Sequence, residues 1–364
     1  MFKVNWKRAV IKVGSSLIAP NNQCSQEYLR PIAQFISESR KQGKEVILVS
    51  SGSVAAGKGK IAYKHRPSIA EKQAMAAIGQ TQMMANWASL FDFDCAQILL
   101  TADDLHNRTR YVNIKNTLRE LLKNHALPIV NENDTVAINE LKVGDNDNLA
   151  AYTALVSEAD TLIICSDING LYDADPRVNP NAKLIPEITN IDESIYQLAG
   201  GAGSVLGTGG MQTKIQAAQK CVDSGIQTLI VNGRNPIVFE ALAKGQSPGS
   251  LFKPNKSLLK ARDNWLRHTL KVTGQIEVDQ GAKLALVEKG ASLLPSGITS
   301  VSGQFNSGEA VSIHFENKVI AKGLVQYSAT DLKAIQGLNS QKIEATLGYS
   351  FGEAVIHRDD LVLL

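Results

Sequence analysis

The sequence has only four cysteines, and none stands at C-x-x-C spacing from another. Cys24, Cys95, Cys165 and Cys221 lie far apart, which argues against a disulfide framework or a zinc site and for a reducing cytoplasm. Long apolar runs are missing as well: nothing approaches the roughly 20 residues that a membrane-spanning helix needs. The N-terminus does not read as a signal peptide, because Lys12 interrupts its first apolar run. Charge of one sign is not in excess. Against 38 Lys+Arg stand 35 Asp+Glu, and a formal net charge of +3 is too small to argue for nucleic acid or membrane. The six histidines are scattered without paired metal-ligand spacing. No serine sits in a G-x-S-x-G elbow, which weakens a hydrolase reading. There is no long repeat and no low-complexity segment. What remains is an ordinary soluble composition, 44% hydrophobic and 20% charged, over 364 residues, enough for two domains with their own cores.

Short apolar runs recur through the first 260 residues or so: "AVIKV", "EVILV", "AQILL", "LPIV", "TLIIC" and "QTLIV". Each has the length of a strand, and none alternates as a sheet with one wet face would. Both faces are then covered, as in parallel sheets. Stretches with helical spacing lie between them. One carries Leu29, Ile32, Ala33 and Ile36, opens near Pro31 and closes at Gly43. The pattern predicts an α/β domain with an open, mostly parallel sheet sandwiched by helices. After about residue 247 the texture changes. "SPGSLFKPNKS" reads as a boundary, a helical piece surrounds Trp265, and short β-type segments with glycine turns follow. These are "VTGQIEVDQGAKLALVEKG", "ITSVSGQF", "EAVSIHF" and "VIAKGLVQYS", which together predict a small β-rich module.

In open α/β sheets, ligands bind beyond the carboxyl ends of the strands. After the six runs come, in order, Lys12 with Gly14, Ser15 and Ser16; Ser50, Ser51, Gly52 and Ser53; Thr101, Asp103 and Asp104; Asn131, Glu132, Asn133 and Asp134; Ser166, Asp167 and Asn169; and Asn232 with Gly233. Turns favour such residues, which explains part of the pattern. It does not explain Lys12, whose burial without a partner costs free energy. Lys12 is either an edge-strand lysine that snorkels to water or a cation held beside "GSS" for an anion.

Two further stretches stand out. "GTGGMQTK" (207–214) packs glycines before a helix start, with Lys214 near the first turn. Exposed N–H groups, the helix dipole and a lysine favour phosphate there, although the spacing is not that of a P-loop. "NENDTVAINELKVGDNDNLAAYTAL" gathers Asp134, Asp145, Asn146 and Asp147 ahead of a helix. Capping uses one such residue. The surplus points to Mg²⁺, to an ammonium group, or to a carboxylate that orients Lys12 and Lys214. A weak G-x-G-x-x-A match at Gly57 to Ala62 is discounted as a dinucleotide site, because it does not lie at a strand-to-helix turn.

With these motifs assembled, the chain resembles the glutamate 5-kinase family of the amino acid kinase superfamily. "KVGSS" (12–16), "VSSGSVAAG" (49–57), "NENDTVA" (131–137), "VGDNDNLAA" (143–151), "SDINGLYDADPR" (166–177) and "GTGGMQTK" (207–214) occur in the family's order. The C-terminal module, with "DQGAKLALVEKGASLLPSGI", resembles a PUA domain. The resemblance implies residues 1–255 as an amino acid kinase catalytic domain, 256–274 as a linker and 275–364 as a PUA-like domain. It implies ATP-dependent phosphorylation of the γ-carboxylate of L-glutamate to L-glutamyl 5-phosphate, the first step of proline biosynthesis, with L-proline as feedback inhibitor. Carried over by motif, Lys12, Asp147 and Lys214 form the catalytic set, with Asp147 orienting both lysines. Ser51, Asp134 and Asn146 hold glutamate. Lys12, Ser166, Asp167 and the loop Thr208, Gly209, Gly210, Met211, Gln212, Thr213 and Lys214 hold ATP. Mg²⁺ enters with ATP and bridges its phosphates, with no side chain assigned as a metal ligand. Ser166 and Ser250 stand where the family pattern has threonine, and each keeps a hydroxyl for ligand contact. The resemblance further implies a homodimer or homotetramer, and makes association with glutamyl phosphate reductase reasonable, since acyl phosphates are labile. Two other readings stand beside it. One is an amino acid kinase for aspartate, acetylglutamate or carbamate, against which "GDNDN" and the C-terminal module argue. The other is an RNA-binding protein working through the PUA-like module. Residues 260–364 carry 11 Lys+Arg against 11 Asp+Glu, a balance that supplies no basic footprint for RNA.

Overall fold

The computed structural model describes residues 3–61, 65–137, 146–199, 210–254 and 272–364. The predicted helical piece around Trp265 lies outside them, as do Asp145, Thr208 and Gly209. The chain divides into two units, Met1–Leu105 with Thr117–Leu258, and His106–Asn116 with Leu259–Leu364.

The first unit is built on one sheet. Its strands are β1 (Arg8–Val13), β2 (Glu45–Ser50), β3 (Cys95–Leu100), β4 (Leu127–Glu132), β5 (Thr161–Ser166), β6 (Glu187–Ile188), β7 (Gln227–Asn232) and β8 (Ser250–Phe252). They stand in the order β3-β4-β2-β1-β5-β7-β8-β6. All six apolar runs are strands, and those six are mutually parallel. Burial explains why they read as unbroken apolar runs: every residue of β4 and β5 is buried. Strand β8 runs antiparallel to β7 and carries β6 at its far side. It lies within the stretch whose Pro, Gly and Ser content marks a boundary, and three residues are too few for a period to show.

Helices in this part of the chain are α1 (Ser15–Ile18), α2 (Leu29–Lys41), α3 (Ser53–Lys58), α4 (Ile69–Ala88), α5 (Ala102–His106), α6 (Arg108–Lys123), α7 (Asn146–Val156), α8 (Glu193–Leu198), α9 (Met211–Asp223) and α10 (Ile237–Ala243). Leu29, Ile32, Ala33 and Ile36 do form the buried stripe of α2, and Gly43 ends it with a left-handed φ of 77°. Ala9, Ile11 and Val13 of β1 share a core with that stripe, with Met83 and Trp87 of α4 and with Val238 and Phe239 of α10. Side chains alternate along a strand, so Lys12 faces the other side of the sheet. There it meets Asp147 of α7, which Lys214 of α9 also contacts.

Gly57 of the discounted motif has a packing role, together with Gly79. A Cβ on Gly57 of α3 would lie 1.8 Å from Met75 O, and one on Gly79 of α4 would lie 1.8 Å from Ser53 O. Only glycine lets these two helices approach so closely.

The second unit has its own sheet, order β10-β9-β11-β12-β13, made of β9 (Val272–Val278), β10 (Ile298–Gly303), β11 (Ala310–Phe315), β12 (Lys318–Leu324) and β13 (Leu361–Leu363). The predicted β-rich module is present, with one correction. "DQGAKLALV" is not strand but helix α11 (Gln280–Val287). The Asp279 side chain accepts from Ala282 N and caps it, and a run of Ala, Lys and Leu favours helix. Helices α12 (Ala329–Ile335) and α13 (Ile343–Leu347) also belong to this unit.

All four cysteines are free thiols. Burial pushes the Cys165 and Cys221 thiols up to about 12 and Cys95 to about 11, and raises Cys24 as well. At pH 8 a thiol with a pKa near 12 is about 10⁻⁴ thiolate. We therefore expect native protein to react slowly with a chromogenic disulfide at pH 8, and all four thiols to react within the mixing time in guanidinium chloride. A fast native thiol at Cys165 or Cys221 would show that the sheet does not bury them.

Candidate active site at the carboxyl edge of the parallel sheet

The central feature is a buried carboxylate between two ammonium groups. Asp147, in the first turn of α7, is fully buried. Its Oδ1 lies 2.6 Å from Lys12 Nζ and its Oδ2 accepts from Lys214 Nζ at 2.9 Å. Lys12 and Lys214 retain only 7% and 5% exposure. Lys12 belongs to β1, which is paired on both sides, with β2 and with β5. It is a central-strand lysine, not the snorkelling edge lysine that was the other reading. Lys214 is the fourth residue of α9, behind the N-cap Gly210. Thr213 adds a hydroxyl whose single proton has two acceptors in reach, Asp147 Oδ2 at 3.0 Å and Gly210 O at 2.8 Å. Burial pushes the Asp147 carboxyl up, but the two ammonium groups outweigh it and hold the carboxyl below its ordinary value. One carboxylate against two ammoniums leaves one positive charge uncompensated within the trio, suited to an anion.

A second cluster sits at the ends of β2 and β4. Gly52, at φ 101°, turns the chain into α3, and a Cβ there would come within 2.9 Å of Ile18 Cβ. That turn buries Ser51. Asn146, the residue before Asp147, donates from Nδ2 to Ser51 Oγ at 2.8 Å, to Asn131 Oδ1 at 2.8 Å and more weakly to Ser50 O at 3.3 Å. Ser53 Oγ donates to Asp134 Oδ2 at 2.9 Å. Asn146 and Asp147 are adjacent at the start of α7, so one helix N-terminus joins the two clusters.

Ser166 and Asp167 stand at the end of β5, beside β1, and Ser166 Oγ donates to Asp167 Oδ1 at 3.3 Å. Of the glycine loop, Gly210, Met211, Gln212, Thr213 and Lys214 are described. Ser250 departs from expectation. Its hydroxyl is wholly buried, accepts from Leu171 N at 2.8 Å and donates to Ile185 O at 2.6 Å. It fastens the chain between β5 and β6 to β8, and its bonds are spent there instead of on a ligand. Ser53, Asn131 and Gln80 complete the second cluster. Ser53 and Asn131 were visible as strand-end residues, though no role was given to them, and Asn131 lies within the last two residues of β4; Gln80, inside a helix, carried no signal.

Among the described residues, no group of three or more His, Cys, Asp or Glu could hold a metal ion. Both oxygens of Asp147 face ammonium groups. Such a donor set fits Mg²⁺ that arrives on nucleotide phosphates, because Mg²⁺ keeps its waters and is bound largely by substrate.

Replacing Asp147 with Asn would leave two ammonium groups buried together. We expect Asp147→Asn to lose about 3–5 kcal/mol of stability in urea titration, the usual cost of breaking a buried pair. Because the folded carboxyl sits below its unfolded value, its contribution is present above the ordinary carboxylate range and is lost as pH falls below it. The wild-type protein should therefore lose this increment on acidification, and the Asn variant should show a shallower acid slope. Equal slopes would refute the ion-pair assignment.

Comparison with known proteins agrees with this geometry. The model of the amino acid kinase family matches residues 7–232, and that of the PUA domain matches residues 274–347. A protein of Idiomarina loihiensis named glutamate 5-kinase is 53% identical over 99% of this chain and 98% of its own length. A glutamate 5-kinase of Salinibacter ruber is 52% identical over the same shares, and one of Xanthomonas campestris is 47% identical over 98% of this chain and all of its own. The two buried lysines, the carboxylate between them and the parallel sheet that presents them are thus features of a chain that belongs to the amino acid kinase family, among the glutamate 5-kinases.

Proposed function

We propose that this protein transfers the γ-phosphoryl group of ATP to the γ-carboxylate of L-glutamate, forming L-glutamyl 5-phosphate and ADP as the first step of proline biosynthesis. The observation that carries the chemistry is the Lys12–Asp147–Lys214 trio. A glutamate γ-carboxylate is already ionised at neutral pH, so attack on phosphorus needs no base. A carboxylate oxygen bonds to the γ-phosphorus while the bond to the β,γ-bridging oxygen breaks and its electron pair leaves on ADP. Negative charge spreads over the transferred oxygens, and two ammonium groups fixed by one carboxylate stabilise it without reorganising. Mg²⁺ on the phosphates supplies further neutralisation of the same charge.

In this reading, Lys12, Asp147 and Lys214 are the catalytic set. Ser51, Asp134 and Asn146 hold glutamate, with Asp134 facing the ammonium group. Ser166, Asp167 and the loop 208–214 hold ATP at the N-terminus of α9, where free N–H groups favour phosphate. Residues 1–255 carry the catalysis, 256–274 link, and 275–364 form a PUA-like domain that serves regulation or assembly. L-Proline acts as feedback inhibitor, and the protein works as a homo-oligomer, a dimer or a tetramer, in the cytoplasm. Glutamyl phosphate reductase is the natural acceptor of so labile a product.

ATP turnover with hydroxylamine present tests this reading, using L-glutamate, L-aspartate, N-acetylglutamate or no acceptor, each with and without L-proline. We expect hydroxamate from glutamate alone, suppressed by proline. Turnover with another acceptor would move the enzyme within its family. In the same assay Lys214→Ala should lower kcat by about 10²-fold or more with circular dichroism unchanged. Undiminished turnover would remove Lys214 from the mechanism.

A further inference from the structure

From the amide contacts behind Ser51 and Asn146 we infer that Gln80, on α4, is a positioning residue that fixes the donor–acceptor polarity of the glutamate site. The inference rests on the proposed roles of Ser51 and Asn146.

Gln80 is 8% exposed and Asn131 is 1% exposed. Asn131 Nδ2 donates to Gln80 Oε1 at 2.9 Å. With its amino group so engaged, Asn131 turns its Oδ1 toward Asn146, whose Nδ2 donates to it at 2.8 Å. The same Asn146 Nδ2 donates to Ser51 Oγ at 2.8 Å. Each amide has a donor end and an acceptor end, so orientation passes from one to the next. If Gln80 turned over, its NH₂ would face the NH₂ of Asn131. Asn131 would have to turn, and then Asn146 after it. The consequence at the far end is chemical. Ser51 Oγ already accepts from Asn146, so its own O–H proton remains to be donated, and a hydroxyl donor suits an anionic carboxylate.

A second observation shows what sets the orientation of Gln80. Its Nε2 is buried and has no hydrogen-bond partner among the described residues. A buried unsatisfied donor costs free energy, so the side chain is oriented by what its oxygen accepts and not by the needs of its nitrogen. Gln80 is also held from behind. The close approach at Gly79, its neighbour on α4, locks the helix against Ser53. Trp87 on the same helix donates from Nε1 to Ser50 Oγ at 2.9 Å, and Ser50 precedes Ser51.

The test is a double-mutant cycle read as KM for glutamate and KM for ATP separately. Gln80→Met keeps the volume and removes the acceptor. It should raise KM for glutamate by about tenfold, the scale of one lost hydrogen bond to a polar partner, with KM for ATP within about twofold. Asn131→Ala should raise KM for glutamate at least as much. The double variant should be no worse than Asn131→Ala alone, because Gln80 acts through Asn131. An unchanged KM for glutamate, additive effects, or a parallel rise in KM for ATP would overturn the role. If Gln80→Met proves too unstable to assay, Gln80→Glu decides: it keeps an acceptor for Asn131 and should hold KM for glutamate within about threefold, and a tenfold rise there overturns the role. Glutamate-dependent turnover by the parent enzyme separates the two questions. Its absence defeats the proposed function, and its presence with an unmoved Gln80→Met defeats only the positioning role.

Discussion

Everything at the sheet edge depends on one ion trio placed almost out of water. Removing a carboxylate and two ammonium groups from solvent is costly, and their mutual attraction offsets that cost only in good geometry. Here the geometry is supplied by three distant parts of the chain. Lys12 comes from a central strand, Asp147 from the first turn of α7, and Lys214 from the first turn of α9. The fold must bring these together or leave charges buried without partners. The trio is therefore a constraint on folding as well as the source of the site's positive potential, and that potential is in place before any anion arrives.

The second half of the site is held by neutral hydrogen bonds, and its precision comes from helix packing. The Gly57 and Gly79 contacts bring α3 and α4 to near backbone contact, which sets where the turn at Ser51–Gly52 can lie. From there a buried amide network runs to Asn146. Since Asn146 and Asp147 are consecutive, the helix that presents the charged trio also closes the neutral network. A shift of α7 would disturb both at once, because it carries Asn146 of the one and Asp147 of the other.

The C-terminal unit contributes differently. Its core includes Ile276 and Val311 from strands, Leu332 from a helix and Tyr327 from the loop between β12 and α12. Residues 260–364 carry 11 Lys+Arg against 11 Asp+Glu, a balance that supplies no basic footprint for a polyanion. The match to a PUA domain describes its fold family, and the glutamate 5-kinase relatives align over nearly the whole chain, this unit included.

Burial explains what could be read directly. The six long strands of the first sheet were legible because parallel strands covered on both faces must be apolar throughout, and Lys12 was legible because it broke that rule. A helix start within GTGGMQTK, with Lys214 near its first turn, and the strand-end position of Ser51 and Asp134 were equally visible, since turn chemistry is local. Strands β6 and β8 were not, being too short for a period, and helix α11 was hidden among glycine-bounded β segments. The sequence also left Lys12 with two readings and the surplus of Asn and Asp with three. Tertiary structure decided the first, because only packing could show that β1 is flanked on both sides; it also showed that Asp147 meets both lysines and that Ser250 spends its hydroxyl on the backbone. Gln80 lay furthest from sequence reading: a polar residue within a helix takes its meaning from the single buried amide it faces, and that partner is 51 residues away. Local sequence determined the elements and the chemistry available at their ends; the choice of which ends meet belonged to the fold, since contacts between distant residues leave no periodic trace in one chain.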